Sequence, residues 1–328
     1  MLNRTRLFFP ALVSALAIVT LTACTQAPSS SSTTSSSPSA TGSVVSPSSS
    51  VAPSSTAPPT QTKPAGPPPK PVHVSLLEGD GGQYGIGMPI IAWFDRSFTS
   101  AKAFSAATSV TVNGTVAHGA WYFEHTAHTG SALEAHYRLA NVWPAHAKIE
   151  MKLPVKGVSA GTGLAFDDSL TLSITTGAAN VSTVDSRSLT MTVVSDGKIY
   201  GRFPVSLGAA NTPTARGTKV IMEQGRDISM RGPGYFDPHV EYTQRLTYGG
   251  EYLHSAPWNV ANLGVRSTSN GCTNLSPAAA KRLYGFLHVG DIVKYPNANG
   301  PAMQLGSGYG DWNVPWTTWM TGGVVATR

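Results

Sequence analysis

The stretch Ser188-Leu-Thr-Met-Thr-Val-Val-Ser-Asp-Gly-Lys-Ile-Tyr-Gly-Arg-Phe-Pro-Val205 carries the pattern of a β-hairpin. Apolar and polar residues alternate from Ser188 to Val194, and a second strand-like run extends from Lys198 to Val205. Asp196-Gly197 lies between the two runs, and this dipeptide favours the tight turn of a two-stranded hairpin. The chain from about residue 179 onwards is therefore predicted to be mainly β.

The same region continues with short strands and one helix. Ser276-Pro277 predicts a helix start, with serine as N-cap and proline at the first helical position. This helix is expected to reach about Leu287 and to stop near Gly290. Further strands are predicted at 219–222, 244–247, 250–254 and 291–295.

Residues 72–178 form a separate β-rich unit. Short strand-like runs occur at 89–94, 109–114 and 148–153, and in the last of these apolar residues alternate with charged ones. Several such runs in about a hundred residues predict a β-sandwich. After this unit and a second domain at 179–295, the tail 296–328 holds Trp312, Trp316 and Trp319. So much aromatic surface has to be covered, so the tail is predicted to pack on the second domain.

The first 71 residues have a different composition. Two arginines precede an apolar run from Leu7 to Leu21, and Leu21-Thr-Ala-Cys24 follows, so residues 1–24 are predicted to be an export signal. This ending resembles a bacterial lipobox, which implies lipidation at Cys24. Residues 25–71 contain 33 Ser, Thr or Pro among 47 positions and are predicted to be a disordered tether.

Composition excludes several classes of protein. The formal charge of +6 comes from scattered lysines and arginines, whereas nucleic-acid-binding surfaces cluster their cations. Two cysteines in the chain are too few for a disulfide framework or a cysteine-based zinc site. The histidines of the first domain (His118, His125, His128, His136 and His146) include one His-x-x-His pair, but no recognised ligand spacing completes it. We expect no metal site and no cofactor.

Cys272 is the thiol that remains for chemistry in the folded part of the chain. A cysteine nucleophile needs a general base, a group that orients the base, and donors for an oxyanion. His254 ends a predicted strand eighteen residues earlier, and Gly271 allows close approach of the backbone to a substrate. The helix that opens at Ser276 is expected to favour the thiolate modestly. From these residues alone, a buried structural cysteine beside an unrelated histidine is the favoured interpretation.

The sequence motifs around these two residues are specific to one family. His254-Ser-Ala-Pro-Trp258 followed by Ser269-Asn-Gly-Cys-Thr-Asn274 resembles the catalytic domain of L,D-transpeptidases of the YkuD type. Gly85-Ile-Gly-Met-Pro89 and Trp143-Pro-Ala-His146 resemble the bacterial Ig-like domains found ahead of wall transpeptidases. The resemblance implies an Ig-like sandwich, a β-rich catalytic domain with one clear helix, and a packed aromatic tail.

The resemblance also implies roles for individual residues. Cys272 is the expected nucleophile, His254 the general base, and the Ser255 carbonyl the group that orients it. The N–H groups of Gly271 and Cys272 are the expected oxyanion donors. Substrate contacts are expected from a flap that carries Tyr235 and Met230, and from four residues near the motif: Trp258, Ser269, Asn270 and Asn274. Asn270 departs from the family pattern, which has histidine there, and asparagine cannot carry a positive charge.

The function implied is formation of 3→3 peptidoglycan cross-links through a Cys272 thioester, with release of D-alanine. The partners implied are donor and acceptor tetrapeptide stems, and carbapenem-type β-lactams as covalent inhibitors. Alternatives on the same site are L,D-carboxypeptidase activity and attachment of a protein to the wall. A wall-binding lipoprotein with weakened catalysis is a third alternative, which Asn270 favours. The expected location is the outer face of the cell membrane, with a lipid anchor and a reach into the wall.

Overall fold

The computed structural model describes residues 66–126, 128–232 and 234–325. The described chain is mainly β, and the predicted fold class is confirmed, with an Ig-like sandwich followed by a β-rich domain. The predicted Cys24 lipidation site, the export signal and most of the tether lie outside the described residues. No helix within these ranges is both long enough and apolar enough to cross a membrane.

Alternating runs in the first domain form two main sheets that share one core. One sheet has the order β2-β4-β8-β7 and the other β3-β12-β9-β5-β6, and a small sheet β1-β11-β10 lies beside them. The strands are β1 Lys70–Val72, β2 Val74–Leu76, β3 Gln83–Tyr84, β4 Ile90–Phe94, β5 Ser109–Val112, β6 Thr115–Val116, β7 Gly119–Glu124, β8 Leu133–Leu139, β9 Lys148–Leu153, β10 Ser159–Gly161, β11 Leu164–Phe166 and β12 Leu170–Thr176. Helix α1, Lys102–Ala107, follows β4.

The first strand corrects the predicted end of the tether. Lys70 and Pro71 were assigned to the disordered segment, but both belong to β1, which pairs in parallel with Leu164–Phe166 of β11. Proline is compatible with this position because β1 is an edge strand, where one side of the backbone has no partner. Strand β1 therefore begins within the segment that the composition assigned to the tether.

The second domain has two sheets and the predicted helix. Its sheets have the orders β15-β14-β13-β21-β16 and β17-β18-β19-β20. The strands are β13 Asn180–Asp185, β14 Thr190–Ser195, β15 Lys198–Pro204, β16 Gly217–Val220, β17 Glu223–Gly232, β18 Tyr235–Arg245, β19 Tyr252–Ser255, β20 Thr273–Leu275 and β21 Ile292–Tyr295. The helices are α2 Pro277–Tyr284 and α3 Trp316–Trp319, with 3₁₀ turns at Pro257–Asn262 and Asp311–Asn313.

Local chemistry explains the elements that frame the site. Asp196 and Gly197 both have positive φ angles, of 46° and 77°, as a tight hairpin turn between β14 and β15 requires. The Ser276 side chain accepts the Ala279 N–H at 3.2 Å and caps α2, which ends at Tyr284, three residues before the predicted end. The cap fixes where the chain turns away from β20.

Backbone contacts join the two domains. The Gly85 N–H donates to the Val289 carbonyl at 2.8 Å, and the Gly87 N–H donates to the Gly290 carbonyl at 2.9 Å. A Cβ atom on Gly85 would lie 2.2 Å from the backbone nitrogen of Asp291, so glycine is required at this contact. The glycines that carry the Ig-like resemblance thus form part of the domain interface.

The aromatic tail contacts both domains, not the second alone as predicted. The Trp312 and Trp319 indole N–H groups donate to the carbonyls of Gly87 and Ala120 in the first domain. The guanidinium of Arg138 lies 4.3 to 5.3 Å from the ring centroids of all three tail tryptophans. Asn313 bonds in turn to the backbone of Thr218 in the second domain. Cation–π contacts and indole hydrogen bonds draw the rings toward the first domain.

Candidate active site

Two neighbouring parallel strands bring the predicted catalytic residues together. β19 pairs with β20, so that His254 lies beside Asn274 and Leu253 beside Thr273. Cys272 immediately precedes β20, and His254 and Cys272 are only 4% and 6% exposed. Eighteen residues of sequence separation are thereby reduced to the distance between adjacent strands. Both side chains line the same cavity.

The tautomer of His254 follows from its backbone neighbour. Its Nδ1 lies 2.7 Å from the Ser255 carbonyl oxygen. A carbonyl only accepts hydrogen bonds, so Nδ1 carries the proton and Nε2 keeps its lone pair. Burial lowers the pKa of His254 below its ordinary value, against the opposing effect of the Ser255 carbonyl. His254 is therefore a neutral base at neutral pH.

Cys272 is a thiol at rest. Burial raises the pKa of the Cys272 thiol to about 12, and Sγ lies 3.5 Å from the Gly250 carbonyl, to which the S–H donates. The sequence led us to expect a modest shift toward thiolate from the start of α2. Removal from water outweighs that effect, so the pKa moves in the opposite direction. The thiol consequently needs a base at the moment of attack.

The loop before Cys272 is fixed by side-chain hydrogen bonds. The Ser269 hydroxyl donates to the Cys272 carbonyl at 2.6 Å and accepts the Gly271 N–H at 3.2 Å. The Thr214 hydroxyl donates to the Gly271 carbonyl at 2.8 Å, and Gly271 has a φ of 109° that favours glycine. Among the described residues, the Cys272 N–H donates to no other group, whereas that of Gly271 is engaged. The Cys272 N–H is the better placed oxyanion donor.

A cavity of about 330 Å³ opens onto Cys272 and His254. Tyr235 and Met230 reach it from the hairpin of β17 and β18, and the half-exposed Trp258 ring stacks near His254 with centroids 6.0 Å apart. Eight of its lining residues were predicted from the sequence: Met230, Tyr235, His254, Trp258, Ser269, Asn270, Cys272 and Asn274. Ser255 and Gly271 are outside this lining and act through their backbones.

Five lining residues were not predicted, namely Phe236, Asp237, Val240, Asn259 and Thr268. Strand alternation was a usable signal for Asp237, because it lies two residues from Tyr235 in β18 and shares its face. Asn259 and Thr268 had no such signal. The Thr268 hydroxyl donates to Asn259 Oδ1 at 3.0 Å, a contact between two loops that only the fold brings together.

A second cavity, of about 440 Å³, lies on the other side of the hairpin tip. Met230, Tyr235 and Asn270 line both cavities, so these side chains separate them. Asn270 itself is exposed. Cys272 lines the first cavity, whereas Gly250, whose carbonyl accepts its thiol, lines the second.

One group of side chains in the first domain has the spacing of a metal site. Glu124, Glu134 and His136 are buried and close together. However, His136 Nε2 lies 2.7 Å from Glu134 Oε1, and Nδ1 lies 2.9 Å from Asp311 Oδ2. Both ring nitrogens thus face carboxylate oxygens and both carry protons, so the group is an imidazolium ion pair. His125 and His128 are exposed loop residues, and the His128 ring stacks on Trp93.

Two family models match different parts of the chain. Residues 179–294 match the family model described as the L,D-transpeptidase catalytic domain (YkuD). Residues 54–159 match the model of a bacterial Ig domain.

Curated relatives carry the same family name. L,D-transpeptidase 2 of Mycobacterium tuberculosis (strain CDC 1551 / Oshkosh) is 30% identical over 268 residues, which cover 78% of this chain and 64% of that protein. L,D-transpeptidase 5 of Mycobacterium tuberculosis (strain ATCC 25618 / H37Rv) is 28% identical over 262 residues and 77% of this chain. The match spans 57% of that relative, so the chain covers less than two thirds of either protein.

Solved structures show the same arrangement. A structure of LD transpeptidase LdtMt1 in complex with imipenem superposes with a TM-score of 0.56 at 25% identity, over 70% of this chain and all of that one. An L,D-transpeptidase from Mycobacterium smegmatis superposes with a TM-score of 0.55 at 27% identity, with the same coverage. The chain thus joins a bacterial Ig domain to a catalytic domain of the L,D-transpeptidase (YkuD) family.

Proposed function

We propose that this protein is a peptidoglycan L,D-transpeptidase that forms 3→3 cross-links through a thioester on Cys272. The observation that carries the proposal is the shared cavity of Cys272 and His254, with His254 Nδ1 held by the Ser255 carbonyl. That arrangement supplies a nucleophile, a base with a fixed tautomer, and an adjacent N–H donor, which are the parts acyl transfer requires.

In the first half-reaction, Sγ attacks the carbonyl carbon of the amide that follows the third residue of a donor stem. The thiol proton passes to Nε2 of His254 as the S–C bond forms, which explains why a thiol of high pKa is compatible with attack. The Cys272 N–H stabilises the oxyanion. The C–N bond then breaks, His254 returns the proton to the leaving nitrogen, and D-alanine departs.

In the second half-reaction, an amine on the third residue of a neighbouring stem attacks the thioester carbonyl. His254 takes the proton from this amine and delivers it to sulfur as the C–S bond breaks. Cys272 lines the first cavity, and the second cavity adjoins it at Tyr235 and Asn270, so a second large partner has space next to the site. The chemistry requires no cofactor because thiol, base and donor come from the chain.

An intact-mass experiment with imipenem tests the nucleophile. The wild-type chain should gain the mass of one covalently bound inhibitor, and Cys272→Ala should gain none. His239→Asn is a matched control, because His239 is an exposed histidine of the same domain that lies outside the cavity lining. A wild-type chain that never forms an adduct, or an adduct that persists in Cys272→Ala, contradicts the proposal.

Product analysis with a disaccharide-tetrapeptide distinguishes the fates of the thioester. A cross-linked dimer with release of D-alanine supports transpeptidation, and a free tripeptide alone indicates carboxypeptidase activity. Transfer to a protein amine indicates attachment of a protein to the wall. Binding to wall fragments without turnover or thiol reactivity indicates the weakened, wall-binding alternative that Asn270 suggested.

We also propose that the chain is a lipoprotein on the outer face of the cell membrane. The support is the sequence Leu21-Thr-Ala-Cys24 after an apolar run, with the long Ser/Thr/Pro segment behind it. Mass spectrometry of the mature protein should find a diacylglyceryl group on Cys24 as the first residue. An unmodified N-terminus downstream of Cys24 contradicts this proposal.

A further inference from the structure

A buried ion pair near the nucleophile takes no part in the proposed reaction. The Lys219 ammonium in β16 has no exposure to solvent and pairs with Glu251 Oε2, whose side chain is 16% exposed. Nζ of Lys219 also lies 4.1 Å from the centroid of the Tyr295 ring. Burial of two charges is costly, and a hydrophobic pair often gives equal or greater stability. A contribution to folding stability is therefore a weak explanation for the presence of this ion pair.

Glu251 reaches the backbone on one side of Cys272. It directly follows Gly250, whose carbonyl accepts the Cys272 thiol. A Cβ atom on Gly271 would lie 3.6 Å from the Glu251 side chain, so the carboxylate arm packs against the glycine that precedes the nucleophile. Glu251 Oε1 accepts the Ala215 N–H at 2.7 Å, which fixes the carboxylate in this position.

Lys219 reaches the other side of Cys272 through Tyr295. The ammonium lies over the Tyr295 ring, and the hydroxyl groups of Tyr295 and Thr273 form a hydrogen bond of 2.7 Å. Thr273 follows Cys272 in the chain. One polar network therefore packs against the residue before the nucleophile and bonds to the residue after it, and it includes the chain neighbour of Gly250, whose carbonyl accepts the thiol.

We propose that Lys219 and Glu251 are positioning residues for Cys272, which they aim at the cavity while their opposite charges balance near the thiol. This inference rests on the proposed function, in which Cys272 is the nucleophile. Neither residue touches the substrate. The pair supplies fixed charge next to a nucleophile whose loop carries the uncharged Asn270 two residues before it. Removal of one partner should therefore change the thiol in a direction set by the charge that remains.

The test is the rate of alkylation by iodoacetamide at pH 8, where the thiolate is a minor form, read by mass spectrometry of the peptide that contains Cys272. In Glu251→Gln, Lys219 keeps its charge without a counter-charge and favours the thiolate, so alkylation should become about tenfold faster. In Lys219→Met, the carboxylate remains alone and disfavours the thiolate, so alkylation should become about tenfold slower. Opposite changes of the alkylation rate in the two single variants are the result expected if both charges act on the thiol.

The double variant Lys219→Met/Glu251→Leu keeps the test valid if a single variant fails to fold. It should fold, because a hydrophobic pair replaces the ion pair, but the rate of imipenem acylation should fall about tenfold through loss of positioning. Lys148→Met is the matched control, since Lys148 pairs with Glu150 at the surface of the first domain. It should change neither quantity.

Two results overturn the inference: single variants that change the alkylation rate in the same direction or not at all, and a folded double variant with wild-type acylation. Alkylation needs no transpeptidase activity, so it separates this inference from the proposed function. If the two single variants change the alkylation rate in opposite directions but the wild type forms no imipenem adduct, the inference about the ion pair stands and the proposed transpeptidase function is contradicted.

Discussion

Nδ1 of His136 in the Ig-like domain lies 2.9 Å from Oδ2 of Asp311 in the C-terminal tail, and both side chains are buried. On the other side of the ring, Nε2 faces Glu134 at 2.7 Å and Glu124 at 3.7 Å. The imidazolium thus ties the tail to the sheet of the first domain. Among histidines that looked alike in the sequence, this one became structural because the tail delivers a carboxylate to it.

This contact predicts that the protein loses stability as the pH rises. Burial by itself lowers the pKa of His136, but Asp311, Glu134 and Glu124 outweigh it and raise the pKa well above its ordinary value. A raised pKa gives stability that is complete below the unfolded value of about 6.5 and is lost as the pH rises through the folded pKa. Burial also raises the pKa of Glu124 to about 7 and of Glu78 to about 8, which acts in the same direction.

Thermal unfolding from pH 6 upwards measures this loss. Asp311→Asn should destabilise the protein by about 3 kcal/mol at pH 6, because it removes one partner of a buried pair. It should also flatten the dependence on pH. The exposed pair of His239 and Asp227 offers the control Asp227→Asn, which should leave both unchanged. An unfolding temperature that increases with pH above 6 would contradict the prediction.

A second prediction concerns the pH profile of acylation. Attack requires neutral His254, whose pKa is lowered by burial, and a protonated thiol, whose pKa burial raises to about 12. The rate of imipenem acylation should therefore remain high below pH 6.5 and should show no rise near pH 8 to 9, where a free cysteine ionises. His254→Asn should slow acylation by about a thousandfold, the range expected for loss of a general base. A rate that increases through an ordinary cysteine pKa would instead indicate that the thiol ionises before attack, without help from His254.

Much of this architecture was predictable because local signals agreed with the fold. The Asp196-Gly197 turn, the alternating strand Lys148–Leu153 and the cap at Ser276 all act within a few residues, where the sequence is read directly. Cys272 and His254 were identifiable because their short motifs are specific. The other residues that line their cavity were harder to predict. Strand alternation identifies Asp237, for example, only once the strand through Tyr235 is known.

The remaining features depend on contacts between residues that are distant in the chain. Lys219 and Glu251 look like surface charges in the sequence, yet the sheet of the second domain buries the ammonium completely. The raised pKa of Cys272 arises from burial, which no motif encodes. In the sequence, the interface glycine Gly85 contributed only to the Ig-like resemblance, and its requirement appears only when Asp291 is placed against it.

The interface predicts a specific cost for a small substitution. Gly85→Ala would place a Cβ atom 2.2 Å from the Asp291 nitrogen and the Gly290 carbonyl carbon, both of them backbone atoms that cannot rotate away. The substitution should destabilise the protein by about 2 kcal/mol, as overpacking does. Gly79→Ala is the control, since no atom lies within 4 Å of a Cβ there. Chemical denaturation measures both, and equal stability for the two variants would contradict the role of Gly85.

The hairpin tip gives a prediction about acylation without loss of stability. A Cβ atom on Gly232 would lie 2.3 Å from Cε1 of Tyr235. In Gly232→Ala the Tyr235 ring must therefore turn away, and it lies at the wall between the two cavities. The ring is partly exposed and can move without opening a core. Imipenem acylation should slow about tenfold, as expected when a group at the reacting centre is misplaced, while the unfolding temperature stays close to that of the wild type.

Gly249→Ala provides the matched control at the rim of the second cavity, since the atom nearest to a Cβ there is 3.8 Å away. Tyr235→Phe separates the ring from its hydroxyl: it keeps the wall between the cavities but removes the hydrogen-bonding group. If Gly232→Ala slows acylation and Tyr235→Phe does not, the ring acts by shape. If both slow it equally, the hydroxyl contributes to the reaction, and an unaffected Gly232→Ala would show that the position of Tyr235 does not control access to Cys272.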